Sequence, residues 1–110
     1  MSHPDISHPT KMTFFEFLTP LVAQGKKTIT IRDEAESHYV PGTEVEVLTL
    51  ETQQSICTIR ILSVEPLRYD DINEFHAEQE HLPLPELKTL IRDIYPDLDQ
   101  LFMIRFERVA

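Results

Sequence analysis

Apolar and polar residues alternate most clearly from Thr28 to Arg32, where Ile29 and Ile31 fall on one face of an extended chain and Thr28, Thr30 and Arg32 on the other. The same two-residue period returns in Glu44-Val45-Glu46-Val47, after a turn marked by Pro41-Gly42. Apolar-rich stretches from Ser55 to Val64 and from Phe102 to Val109 complete the predicted strands. Helical signals lie elsewhere. Thr13-Phe14-Phe15-Glu16 has the Ser/Thr-x-x-Glu form of a capping box, so a helix is predicted to begin at Thr13. Thr19-Pro20 either kinks that helix or restarts it, and Gly25 ends it. Two further helices are predicted at about Tyr69 to Glu78 and Pro85 to Ile94, the second opened by Pro85 and followed by Pro96. Phe14, Phe15, Phe17, Leu90, Ile91 and Ile94 fall at helical spacings and read as core packing.

Strands outnumber helices and are not regularly separated by them, which argues against a doubly wound parallel sheet. The expected fold is α+β, with a curved, barrel-like sheet. Residues 1–12, with His3-Pro4 and His8-Pro9 and no periodicity, read as a flexible N-terminal extension. Residues 13–110 then form a single domain, as a chain of 110 residues allows.

Composition narrows the functional classes. The hydrophobic fraction of 41% and charged fraction of 26% suit a globular protein rather than a disordered one. No apolar run approaches the ~20 residues that span a bilayer, and Met1-Ser2-His3-Pro4-Asp5 lacks the pattern of a signal peptide. The single cysteine, Cys57, lies in an apolar run and reads as a small core residue, so no oxidising compartment is needed and the cytoplasm is expected. The formal net charge of −9 is uneven: residues 1–32 hold four Lys/Arg against two acids, and residues 33–110 hold six against seventeen. Binding a long polyanion relies on many cations, so this balance favours a small ligand over general DNA or RNA binding.

Candidate chemistry gathers in Gly25-Lys26-Lys27-Thr28-Ile29-Thr30-Ile31-Arg32-Asp33. The polar face of this strand lines either a pocket or solvent, since threonine suits exposed strands and Lys/Arg protect sheet edges. Lys27 precedes Thr30 by three positions and in an ideal strand points the other way, so the two meet only if the turn after Gly25 redirects Lys27. If they meet, a desolvated lysine can take the threonine proton, the hydroxyl can attack an acyl carbon, and a carboxylic acid opposite can protonate the departing nitrogen. His76-Ala77-Glu78-Gln79-Glu80, at a predicted helix end, supplies the best candidate acid, although by composition it is only a charged helix end. His76, Glu80 and His81 also permit a metal-ligand reading, but no matching Cys/His pattern accompanies them. There is no glycine-rich phosphate loop.

The Gly25–Asp33 segment followed by Ser37-His38 closely resembles the opening motif of small bacterial ASCH-domain proteins. His76-Ala77-Glu78-Gln79-Glu80, Glu86-Leu87-Lys88 and Asp93-Ile94-Tyr95-Pro96 resemble later blocks of that family, in the same order and at similar spacing. The resemblance runs from about Thr13 to Arg108. It implies a PUA-like β-barrel with helices packed outside, and hydrolysis of the N4-acetyl amide of N4-acetylcytidine to cytidine and acetate. It further implies that Lys27 accepts a proton, Thr30 is the nucleophile and Glu80 donates a proton, with no metal or organic cofactor. Arg32 would then stand beside the substrate or a developing oxyanion. The implied partner is a small acetylated nucleoside, with neither a membrane nor a stable nucleic-acid partner. The rival expectation is an RNA-binding or nucleoside-sensing module without turnover.

Overall fold

The computed structural model describes residues 9–110. Five strands, β1 (Lys11–Phe14), β2 (Ile29–Arg32), β3 (Glu44–Thr49), β4 (Ser55–Arg68) and β5 (Gln100–Arg108), form one sheet in the order β1-β3-β4-β5-β2. β1 runs parallel to β3, and the other neighbours are antiparallel. Three α-helices accompany the sheet: α1 (Thr19–Ala23), α2 (Glu74–Glu80) and α3 (Leu84–Ile94). This is an α+β fold, as the sequence pattern predicts. No helix among the described residues is long and apolar enough to cross a membrane.

The sheet is coiled rather than flat. Register shifts at Val47/Leu48 and between Ile61 and Ser63 place extra residues in the β3–β4 and β4–β5 ladders, which bends strands and tightens their twist. The edge strands β1 and β2 thereby approach each other, and Arg32 on β2 donates from Nη2 to the Thr13 carbonyl of β1 at 2.7 Å. A side chain thus bridges two edges that have no backbone ladder between them among the described residues. The resulting closure is the barrel-like feature of the fold.

Two apolar clusters flank β2 and β5. Met12, Phe14, Val45, Val47, Ile59, Ile61, Ile104 and Phe106 pack inside the curved sheet with Leu18 and Val22, and Cys57 belongs to this cluster. Ile31 and Leu101 turn the other way and pack against Ile72, Ala77, Leu87 and Ile91 from the helical layer. Leu87 and Ile91, one turn apart on α3, form the buried stripe expected of an amphipathic helix, and Pro85 sits in its first turn, where no donor is lost.

Several sequence expectations give way here. The predicted helix start at Thr13 is instead β1, because Met12 and Phe14 bury one face while the strand pairs with Glu46–Thr49, and this pairing overrides the capping-box signature. The helix restarts at Thr19-Pro20, after a 3-10 turn over Glu16–Leu18. Of the predicted flexible extension, residues 1–8 lie outside the described residues, whereas Lys11 and Met12 belong to β1. Phe17 is 61% exposed and Ile94 43%, so neither is core. β4 continues past Val64 to Arg68 through Pro66; β3 has already left its side by then, so the missing amide breaks no ladder. The predicted helix from Tyr69 to Glu78 divides into a 3-10 turn at Tyr69–Asp71 and α2, which Asn73 caps.

Candidate active site

Gly25 occupies the left-handed region at φ 75° and closes α1. The next two amides, of Lys26 and Lys27, both donate to the Leu21 carbonyl, at 2.9 and 3.0 Å. This hook supplies the turn that strand geometry demanded: Lys27 is carried inward, 2% exposed, and lines the same cavity as Thr30.

Glu80 reaches this point from the opposite layer. Thr28 takes two bonds from the end of α2, its amide donating to the Gln79 carbonyl at 3.0 Å and its hydroxyl to the Gln79 side-chain oxygen at 2.6 Å. His81 then leaves the helix at φ 62°, so Glu80 is the last helical residue and stays buried at 4% exposure. Its Oε1 meets Lys27 Nζ directly. Burial first, and the Arg32 cation second, hold Lys27 well below the ordinary lysine value of 10.5.

Thr30 is bonded to a different partner. Arg32 Nε donates to Thr30 Oγ1 at 2.8 Å, as the shared strand face foretold, and because the hydroxyl oxygen accepts this bond its own proton is available to a base. The Phe14 ring lies beneath both basic groups, 5.6 Å from Lys27 Nζ and 5.0 Å from the Arg32 guanidinium carbon. Arg32 continues outward to Glu36, Nη1 to Oε1 at 3.6 Å, and Tyr95 donates its hydroxyl to the same Glu36 oxygen at 2.9 Å. Burial and this bond push the Tyr95 phenol above its usual value, so it remains a donor.

These groups line a cavity of about 170 Å³ at the junction of the two apolar clusters, with Phe14 and Leu18 on one side and Ile31, Leu87 and Ile91 on the other. The four sequence candidates Lys27, Thr30, Arg32 and Glu80 all face it. His76 does not join them: its Nδ1 accepts from the Asn73 amide at 3.0 Å and so completes the cap of α2. Among the described residues no cluster of three or more His, Cys, Asp and Glu side chains suits a metal ion, so His76, Glu80 and His81 do not form the ligand set that their spacing permitted. Sequence reasoning passed over Glu36, which reads only as part of an acidic loop, and Gln79, whose anchoring role depends on a contact 51 residues distant.

A family model for the ASCH domain matches residues 10–82, and the chain belongs to that family. A protein of Vibrio parahaemolyticus named N(4)-acetylcytidine amidohydrolase is 70% identical over 103 residues, covering 94% of this chain and 96% of its own. One of the same name from Vibrio vulnificus strain YJ016 is 54% identical over 101 residues, covering 92% of this chain and 97% of its own. Among solved structures, the ASCH domain of Lactobacillus crispatus JV V101 superposes with a TM-score of 0.72 at 16% identity, over 92% of this chain and 80% of its own. A protein of Enterococcus faecalis V583 does so with 0.73 at 22% identity, over 96% and 78%. At those identities the likeness is one of fold.

Proposed function

We propose that this chain hydrolyses the N4-acetyl amide of N4-acetylcytidine, giving cytidine and acetate, with Lys27 as base, Thr30 as nucleophile and Glu80 as acid. The observation that carries the reading is the buried Lys27–Glu80 contact in the cavity that also receives Thr30. The names of the Vibrio relatives supply the substrate.

The pair begins with one proton, on Glu80, and Lys27 neutral, the state that desolvation and Arg32 favour for the lysine. Lys27 takes the Thr30 proton as Oγ1 attacks the acetyl carbon. The carbonyl oxygen becomes an oxyanion beside the Arg32 guanidinium, which Thr30 already contacts. Collapse breaks the C–N4 bond, Glu80 gives its proton to N4, and cytidine leaves. The pair is now Lys27 ammonium and Glu80 carboxylate. In the second half Glu80 accepts a proton from water, hydroxide attacks the acetyl-Thr30 ester, and Lys27 returns a proton to Oγ1 as acetic acid departs and ionises to acetate in solution. Both residues end as they began.

The apolar walls lower the effective dielectric at the reacting end, which strengthens each of these electrostatic interactions. Incubating the purified chain with N4-acetylcytidine and separating the products by chromatography tests the reading. Cytidine and acetate in equal amounts are expected. Tight binding with the ligand recovered unchanged would instead favour a nucleoside sensor.

A further inference from the structure

The cavity contains two basic side chains among its described lining residues, Lys27 and Arg32, and each is faced by an acidic one, Glu80 and Glu36. The lining therefore carries no net charge and presents no cation without a counter-charge. Exposure rises outward along the polar chain: Thr30 is 4% exposed, the Arg32 side chain 11% and the Glu36 side chain 49%. Glu36 thus stands at the mouth while the reactive hydroxyl lies at the base. The Tyr95 hydroxyl, arriving from the end of α3, holds the Glu36 carboxylate in that position at 2.9 Å.

We infer that Glu36 makes this site selective for the uncharged nucleoside over its 5′-phosphorylated form. The inference rests on the hydrolytic reading only for the direction in which the substrate lies. With the acetyl group at Thr30, the sugar points to the mouth, where a 5′-phosphate approaches a carboxylate that also occupies the nearest guanidinium. Two effects then act in the same sense. The phosphate meets like charge, and Arg32 is already neutralised by Glu36. The anionic product acetate meets the same matched charges, so the pocket does not retain it. An RNA strand, which brings a phosphate at every nucleotide, is disfavoured on the same ground.

The test combines turnover with binding. N4-acetylcytidine and its 5′-monophosphate are compared by kcat/KM in the wild type and in Glu36→Gln, and cytidine and cytidine 5′-monophosphate are compared by calorimetry in both proteins. The substituted amide retains an oxygen for the Tyr95 hydroxyl and removes only the charge, at a half-exposed position that the core does not use. The wild type is expected to favour the nucleoside about tenfold or more, a preference that shrinks as salt screens the rim, and Glu36→Gln to reduce the ratio severalfold. Equal use of nucleoside and nucleotide by the wild type overturns the inference and leaves the hydrolytic reading standing. A wild-type preference unchanged in Glu36→Gln overturns the assignment to Glu36. Selective nucleoside binding without turnover sinks the hydrolytic reading and retains the inference, and the absence of both turnover and binding overturns both.

Discussion

Replacing Lys27 and Glu80 by methionine, singly and together, asks whether the buried pair is kept for chemistry at a cost in stability. The two side chains are 2% and 6% exposed, so a partner left alone has no water to solvate it. Removing one member of a buried pair costs about 3–5 kcal/mol, whereas replacing both with apolar groups of similar volume is neutral or stabilising by about 1–4 kcal/mol. Methionine is unbranched and long enough to follow either side chain into the cavity between Phe14 and Leu87. Urea denaturation followed by circular dichroism is therefore expected to give two weakened single variants and a double variant at or above the wild type. An unchanged m-value would allow the midpoints to be compared directly. All three variants lose turnover, so in the double variant stability and activity part company. A double variant less stable than either single would refute the reasoning, because it would mean that the two side chains contribute independently.

Other consequences can be checked on the same protein. Lys27 must be neutral to act, so kcat/KM is expected to rise with pH through its lowered pKa and to level off well below 10.5; an acid limb near the ordinary lysine value would contradict the burial argument. Between the lowered pKa and the unfolded value the unfolded chain binds more protons at Lys27, but in the wild type the proton held by Glu80 offsets this; in Glu80→Met, which has no such proton, stability rises with pH across that window, and the slope should disappear in the double methionine variant. Arg32→Met removes the bonds to Thr30 and to the Thr13 carbonyl and is expected to lower stability by about 1.5–3 kcal/mol as well as turnover. Arg32→Lys should fail to restore either, because an ammonium lacks the planar fork that serves both partners. Gly25→Ala meets no atom within 4 Å but must hold a φ of 75°, so denaturation should register a loss of about 1–2 kcal/mol from backbone strain alone.

The strand at Ile29–Arg32 and the half-exposed strand from Glu44 onward were legible because each has two chemically unlike faces, and alternation reports that directly, although in β2 the polar face is buried as well. The polar face of β2 was visible too, and its role as a cavity wall rather than a solvated edge depends on Phe14 and α3 covering it. β1 was hidden, since a four-residue strand with capping-box residues is recognised only through its parallel partner β3. Thr30 and Arg32 could be placed together from periodicity. Lys27 required the double hook onto the Leu21 carbonyl, and Glu80 required the Thr28–Gln79 bonds; both are tertiary contacts without a local signature. The outward path from Arg32 through Glu36 to Tyr95 joins residues 59 apart in sequence and was not readable at all.

The central claim concerns the Thr30 hydroxyl, and turnover of N4-acetylcytidine by the wild type beside Thr30→Val and Thr30→Ser tests it most directly. Valine retains the shape and loses only the oxygen that Arg32 Nε contacts at 2.8 Å, and serine restores that oxygen. If Thr30 is the nucleophile, Thr30→Val lowers kcat by at least about a thousandfold while remaining folded, and Thr30→Ser recovers measurable activity. A Thr30→Val enzyme that works within about tenfold of the wild type would contradict the account, because no step that forms an acetyl ester at this position would then be needed.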